Sequence, residues 1–329
     1  MIKTYEEFKD YVMGSIKNYL PDRFEAAEVR MQQVLKNNDR MLDGLTVKLP
    51  DSNIAPTVYL NDFYKEYLDN EDISSTMMHI ADIFKRHREV SIDFDISMLG
   101  DYEKIKDRLE VRVVNYNQNR TRLDNIPHKS IEDLAFIYYV NVSMDKEGTG
   151  SITINDSIFK GWNISVDELH EQAMFNAVSL RPLRIQSLTE MILNMYPFDI
   201  ESDEYMMLQD AVEDMKNSDM EMFVVTNPEK LNGAVTLFYP DAMERISKEL
   251  GSGFYVLPSS IHECLVIRDR VGLNPEELRE MVKEVNRTQV EHEERLSDNI
   301  YHYDQNEKQF DMVMDNMQPT RYIIKDLNR

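Results

Sequence analysis

The sequence predicts an α+β protein of two mixed modules, each made of antiparallel-type strand pairs packed with helices. Short apolar or alternating segments come in pairs and are followed by helical segments, without the regular β-α-β order of a parallel sheet. Hydrophobic residues make up 42% and charged residues 29% of the chain, as in ordinary folded proteins. The 329 residues favour about two domains. We place the boundary near residues 196–204, which gives an N-terminal module over 1–200 and a C-terminal module over 201–329.

The N-terminal module is predicted to begin with a helix capped by Thr4. Glu7, three residues on, completes a capping box, and Pro21 stops the chain from continuing as a helix. Ser165 and Glu168 repeat the capping pattern before a second well-marked helix over 166–179. The other predicted elements are a hairpin over 28–35 and 42–49, strands over 57–60, 109–115, 135–142 and 151–154, and helices over about 73–87 and 187–195.

The C-terminal module contains a strand-turn-strand-helix unit. Aromatic and β-branched residues over 254–257 suit a buried strand, which Pro258 ends because it cannot donate to a ladder. A second strand over 262–267 leads to Asn274, a good N-cap with Pro275 at the first helical position. Before this unit we expect strands near 222–226 and 234–238 and a helix near 241–250. The tail after Gln305 is expected to be partly irregular.

Charge and composition narrow the classes of partner and compartment. A net charge of −23 disfavours general nucleic-acid binding and binding to an anionic membrane surface. The chain has no long apolar run for a membrane span, and its charged N-terminus does not read as a signal peptide. Its one cysteine cannot form an internal disulfide, so we expect a reducing, cytoplasmic location.

Five segments carry a resemblance to known sequences: TYEEFKDYV, VLKNNDRMLDGLTV and APTVYLNDFYKEY near the N-terminus, and LPSSIHECLVI and VNRTQVEHEERLSDNIYHYD near the C-terminus. Together they resemble a family of domains of unknown function common in gut Firmicutes. The last segment is also similar to the YtpQ-like uncharacterised proteins. The resemblance implies a bacterial cytosolic origin, and it assigns neither an activity nor a catalytic residue.

Polar residues of the C-terminal module supply the side-chain types of a nucleophile, a base and a carboxylate. The candidate catalytic residues are Ser259, Ser260, His262, Glu263, Arg295 and Asp298. Their spacing matches no hydrolase motif, and no Gly-x-Ser-x-Gly elbow occurs. The competing interpretation is a serine turn beside a hydrogen-bonded histidine.

Other kinds of site have weaker support in the sequence. No His-Glu-x-x-His motif and no glycine-rich phosphate loop occurs, so we predict no metal site and no cofactor. Cys264, among aliphatic residues, is interpreted as a small buried hydrophobe rather than a nucleophile. The acidic stretch 199–221 is typical of a solvated helix face, but it could also meet a basic partner. The 21 methionines fit either core filling or an adaptable binding surface.

The function that this pattern favours is a non-enzymatic cytosolic binding or adaptor protein that acts through protein partners. One alternative is a hydrolase or transferase that uses the C-terminal polar cluster, and a second is an acidic nucleic-acid mimic or phage-related inhibitor. We also expect the segment after the helix at 275–288 to pack back over the strand pair, with Arg295 as a structural clamp and Asp298 capping a turn.

Overall fold

The structure is a computed structural model that describes residues 2–50, 55–86, 94–145, 148–195, 209, 212, 220–270 and 273–314. Contacts between Cα atoms divide the chain into two compact units. We call residues 1–95 with 145–148 the N-terminal unit, and residues 96–144 with 149–329 the C-terminal unit. Each unit combines antiparallel strands with helices, so the predicted α+β class is confirmed.

The N-terminal unit contains a three-stranded antiparallel sheet in the order β1-β2-β3. Its strands are β1 (Glu28–Leu35), β2 (Met41–Lys48) and β3 (Thr57–Tyr59), and its helices are Tyr5–Ser15, Leu60–Asn70 and Ile73–Arg86. The predicted capping box is present, because Thr4 Oγ1 accepts from the Glu7 N–H at 3.2 Å and Glu7 Oε2 accepts from the Thr4 N–H at 3.3 Å. The core of this unit is a cluster of apolar side chains that includes Phe8, Ile16 and Phe84.

The C-terminal unit contains two further antiparallel sheets. The strands are β4 (Leu109–Asn115), β5 (His128–Ile131), β6 (Leu134–Asp145), β7 (Gly148–Thr153), β8 (Arg184–Ser187), β9 (Met222–Thr226), β10 (Phe254–Leu257), β11 (Cys264–Arg268), β12 (Tyr301–Asp304) and β13 (Gln309–Met312). The α-helices are Tyr102–Ile105, Arg120–Leu123, Asp156–Trp162, Val166–Leu180, Leu188–Met195, Ala242–Leu250 and Pro275–Thr288. One sheet has the order β4-β6-β5 with β7 also paired to β6, and the other has the order β13-β12-β10-β11-β9-β8.

The strand-turn-strand-helix unit forms as the sequence predicts. β10 pairs with β11 in antiparallel register from Phe254↔Arg268 to Leu257↔Leu265. Asn274 caps the following helix by accepting from the Glu276 N–H at 3.0 Å. Leu278 and Val282 from that helix pack against Ile267 in one apolar cluster.

The strand predicted near 234–238 is wrong, because Gly233–Phe238 is a 3₁₀ helix. All six residues are buried, and a short apolar run that is buried on every side fits a helix as well as a strand. Gly233 decides between them: a Cβ there would lie 2.2 Å from Thr226 Oγ1 and 2.6 Å from the carbonyl oxygen of His262. Only glycine allows the segment to come this close to Thr226 and to the backbone of His262.

Two further predictions concern the domain boundary and the acidic stretch. The boundary near 196–204 and most of the acidic stretch 199–221 lie outside the described residues. β8 and β9, which flank these segments, pair in the six-stranded sheet from Arg184↔Thr226 to Ser187↔Phe223. Both sides of the predicted boundary therefore belong to the C-terminal unit, and the two units separate after residue 95.

Candidate functional site

The two candidate serines lie in the turn between β10 and β11. The Ser259 N–H donates to the carbonyl oxygen of Leu257 at 3.2 Å, and Ser260 Oγ accepts from the His262 N–H at 3.0 Å. This second bond is the local side-chain-to-backbone contact that makes serine favourable in turns. The turn that the sequence predicts is confirmed, and one of the hydrogen bonds that stabilise it is accepted by Ser260 Oγ.

Both ring nitrogens of His262 lie near polar groups. Nδ1 accepts from the Asn232 N–H at 3.0 Å, which makes Nε2 the protonated nitrogen of the neutral ring because a backbone N–H can only donate. Nε2 lies 3.5 Å from Glu294 Oε1. In this arrangement the ring has no nitrogen left to act as a base toward Ser260.

Cys264 and Glu263 differ in their surroundings. Cys264 is fully buried, and burial raises the pKa of its thiol to about 12, with a smaller contribution from the charge of Glu263. The thiol is therefore neutral at physiological pH, and Cys264 packs as the small hydrophobe that the sequence predicts. Glu263 precedes it on a half-buried position at the start of β11.

Arg295 and Asp298 lie in the segment that returns over the turn. The Ile261 N–H donates to the carbonyl oxygen of Glu294 at 2.8 Å, and Ser260 and Arg295 form an isolated β-bridge. Arg295 Nε donates to the carbonyl oxygen of Val290 at 3.0 Å, as a structural clamp would. Asp298 is exposed, and its Oδ1 accepts from Asn286 Nδ2 at 2.8 Å. The backbone thus brings Ser260, His262, Glu294 and Arg295 together, with bonds that mainly hold the segment in place.

A buried carboxylate, Asp133, joins a polar network that the sequence did not indicate. Its Oδ2 accepts from Ser297 Oγ at 2.7 Å and from Asn299 Nδ2 at 3.0 Å, and its Oδ1 accepts from the Tyr301 hydroxyl. Burial raises the pKa of Tyr301 well above its usual range, and the neighbouring Asp133 charge raises it further. Asn115, whose Nδ2 donates to the carbonyl oxygen of Leu296 at 2.9 Å, joins the same network.

Asp269 and His302 form a pair of polar side chains beside β10 and β12. His302 Nε2 lies 2.8 Å from Asp269 Oδ2, and the His302 and Tyr255 ring centroids are 4.9 Å apart. Gly253 makes room for the carboxylate, since a Cβ there would lie 2.3 Å from Asp269 Oδ2. Gly253, directly before β10, is a sequence signal that could have indicated this contact, because a glycine often marks the close approach of another group.

The helix Val166–Leu180 carries the most exposed large apolar side chain among the described residues. Phe175 is 71% exposed, and Val178, three residues on, is 41% exposed. Asn176, on the buried side of the helix, attaches it to the segment at 106–109. Its Nδ2 donates to the carbonyl oxygens of Lys106 and Leu109 at 2.7 and 3.1 Å. The exposed side chains are therefore presented by a helix that is fixed to the unit.

Two kinds of feature are absent from the described residues. No helix among them is long and apolar enough to cross a membrane. Within the same residues, no group of three or more His, Cys, Asp or Glu side chains is arranged to hold a metal ion.

The comparison with known families assigns the chain to one of them. Residues 5–305 match the model described as "Family of unknown function (DUF5688)". The chain belongs to this family. No curated protein and no solved structure matches it. The general part of the sequence resemblance, to a family of unknown function, is confirmed, and its similarity to YtpQ-like proteins and its Firmicutes origin stay predictions.

Proposed function

We propose that this member of the family is a non-enzymatic cytoplasmic protein that binds another protein through the outer face of the helix Val166–Leu180. The observation that carries the proposal is the exposure of Phe175 beside Val178 on that face. Burying a phenylalanine side chain is worth about 1.5–3 kcal/mol, so an exposed one on a fixed helix is a natural anchor for a partner.

The charge around this face indicates the kind of partner. Glu171 and Glu168 are exposed and lie on the same side of the helix as Phe175, one and two turns toward its N-terminus respectively. The chain as a whole carries a net charge of −23. A protein with an apolar pocket bordered by lysine and arginine side chains would complement both features, because opposite charges at the rim favour association and orientation.

The test is capture of protein partners from a lysate of the organism that encodes the chain. The wild type is compared with Phe175→Ser and with Leu68→Ser, which removes another exposed apolar side chain, in the N-terminal unit. We expect a basic protein that binds the wild type and Leu68→Ser, with at least tenfold weaker binding to Phe175→Ser and weaker binding at high salt.

Equal capture by all three proteins would refute the proposal, as would a captured set without a Phe175-dependent member. Size-exclusion chromatography of the same three proteins tests a second copy of the chain as the occupant. If the chain dimerises with increasing concentration and Phe175→Ser abolishes the dimer, then the helix face binds a second copy of the chain rather than a basic protein.

The alternative function, a hydrolase or transferase in the C-terminal unit, has its best support at His302 rather than at His262. An ionised carboxylate only accepts, so the bond to Asp269 places the ring proton on Nε2. Nδ1 has no hydrogen-bond partner within the described part of the chain and remains the basic nitrogen. A carboxylate that orients an imidazole is the arrangement of a general base.

A screen for hydrolysis and group transfer discriminates between the two functions. The enzyme hypothesis predicts turnover that His302→Gln removes and that His292→Gln, at an exposed position, leaves unchanged. No turnover by the wild type, or equal turnover by both variants, would count against it.

A further inference from the structure

The strand β1 lies at one edge of the three-stranded sheet and is exposed along much of its length. Its register with β2 continues to Lys36, whose N–H donates to the carbonyl oxygen of Arg40 at 2.8 Å. Because an antiparallel ladder bonds every second residue, the even-numbered residues of β1 direct their N–H and C=O groups toward β2. Asp43, opposite Gln33, fits this alternation, since its N–H donates to Asn61 Oδ1, just after β3, at 2.9 Å.

The free edge of β1 is formed by its odd-numbered residues, Val29, Met31, Gln33 and Leu35. Their N–H and C=O groups point away from β2, and within the described part of the chain none of these groups has a hydrogen-bond partner. Proteins often protect such an edge with a proline or a bulge. Glu28–Leu35 contains no proline and pairs with β2 without a bulge, so the edge can accept another strand.

Charge selects one way of pairing this edge with β1 of a second copy. In a two-fold antiparallel pair, odd-numbered residues must face odd-numbered residues for their backbone groups to bond. Placing Gln32 opposite Gln32 of the second copy meets this condition and sets Glu28 opposite Lys36 on both sides of the axis. With Gln33 on the axis instead, Arg30 would face Lys36, and with Met31 on the axis no oppositely charged residues would face each other.

The same register suits both faces of the sheet. On one face, Lys36 Nζ lies 4.2 Å from the centre of the Tyr59 ring, and its three N–H donors allow it to bind a carboxylate as well. On the other face, Val29 and Met31 pack against the apolar core of the unit. The register sets Val29 opposite Leu35 of the second copy, so the apolar face continues from one copy into the other.

We propose that β1 pairs with β1 of a second copy of the chain, with Gln32 at the two-fold axis, and joins the two three-stranded sheets into one antiparallel sheet. The main-chain bonds of the free edge supply affinity, and the two Glu28–Lys36 pairs fix the register. This surface belongs to the N-terminal unit and does not involve the helix Val166–Leu180. Phe175→Ser should therefore leave the dimer intact, which separates this proposal from the proposed function.

Sedimentation velocity of the full chain at several concentrations tests the pairing with two charge variants. Glu28→Lys sets lysine opposite lysine and Lys36→Glu sets glutamate opposite glutamate, so each variant alone should dimerise about tenfold more weakly than the wild type. An equimolar mixture of the two regains both oppositely charged contacts and should form a heterodimer about as stable as the wild-type dimer. Lys65→Glu makes the same charge change at an exposed position of the helix Leu60–Asn70 and should dimerise like the wild type.

Gln33→Pro tests the main-chain bonds of the free edge. The Gln33 N–H points away from β2, so proline removes an edge donor without breaking a bond to β2. We expect this variant to be monomeric, with the far-UV circular dichroism of the wild type. A wild type that stays monomeric at every concentration would overturn the proposal, as would a mixture of the charge variants that dimerises no better than either variant alone.

Discussion

The core of the N-terminal unit is an apolar cluster that includes Phe8 and Phe84, whereas in the C-terminal unit a buried carboxylate, Asp133, accepts from Ser297, Asn299 and Tyr301. An apolar core depends on volume and area and tolerates approximate replacement. A buried carboxylate depends on particular donors in particular directions, because each group left without a partner costs free energy. The apolar core of the N-terminal unit and the Asp133 network of the C-terminal unit are therefore specified in different ways, and we expect them to respond differently to substitution.

Asp133→Ala is the change with the largest expected effect. It removes the acceptor of Ser297, Asn299 and Tyr301 and leaves their polar groups buried, so we expect a loss of about 3–5 kcal/mol in the free energy of unfolding. Denaturant unfolding followed by the fluorescence of Trp162, the only tryptophan, reports on the C-terminal unit. Asp124→Ala, at an exposed position, is the matched control and should change stability by less than about 0.5 kcal/mol.

Phe84→Leu is the contrasting arm in the N-terminal unit. The side chain is fully buried, but leucine keeps most of its apolar character, so we expect the free energy of unfolding to fall by about 1–1.5 kcal/mol. Denaturant unfolding followed by far-UV circular dichroism measures this change. If Asp133→Ala costs no more than Phe84→Leu, the polar network does not specify the C-terminal unit in the way that we infer.

The distance along the chain between contacting residues decides which features could be predicted from the sequence. The caps at Thr4, Ser165 and Asn274 are local, since the side chain and the N–H that it accepts from lie within three residues, and all three are confirmed. Strand pairs were also predictable, because alternation and turn residues fix them over short distances.

The polar network was not predictable, because its partners are far apart in the chain. Asp133 meets Ser297 across 164 residues, and nothing in the sequence around either residue marks the contact. The 3₁₀ helix at Gly233–Phe238 was missed for a related reason, since its backbone packs against His262 rather than against a neighbour in sequence. Among the candidate site residues, the sequence correctly indicated that Ser260 and His262 meet the segment around Arg295, but it could not indicate that Asn232 occupies His262 Nδ1.

His170 gives a smaller and pH-dependent test of the polar interior of the C-terminal unit. Its ring is buried between Phe136 and Tyr138, and Nδ1 lies 3.0 Å from the Tyr138 hydroxyl. The pKa of His170 is lowered from 6.5 to about 4, mainly by burial and to a smaller extent by the charge of Lys129, while the charge of Asp167 opposes the shift. The folded state therefore binds fewer protons than the unfolded state between these values. Stability is complete above about pH 6.5 and falls as the pH drops toward 4, by up to about 3 kcal/mol.

His170→Gln removes this titration while keeping a polar side chain beside Tyr138. We expect a lower stability than the wild type at pH 7, because the fit to Tyr138 is lost, and a shallower decline between pH 6.5 and 4. Urea unfolding at half-unit pH steps, followed by Trp162 fluorescence, measures both slopes, with His292→Gln as the variant that removes an exposed imidazole instead. Parallel slopes for the wild type and His170→Gln would mean that His170 is protonated without cost in the folded protein, and that this part of the interior is open to water rather than closed like the apolar core around Phe84.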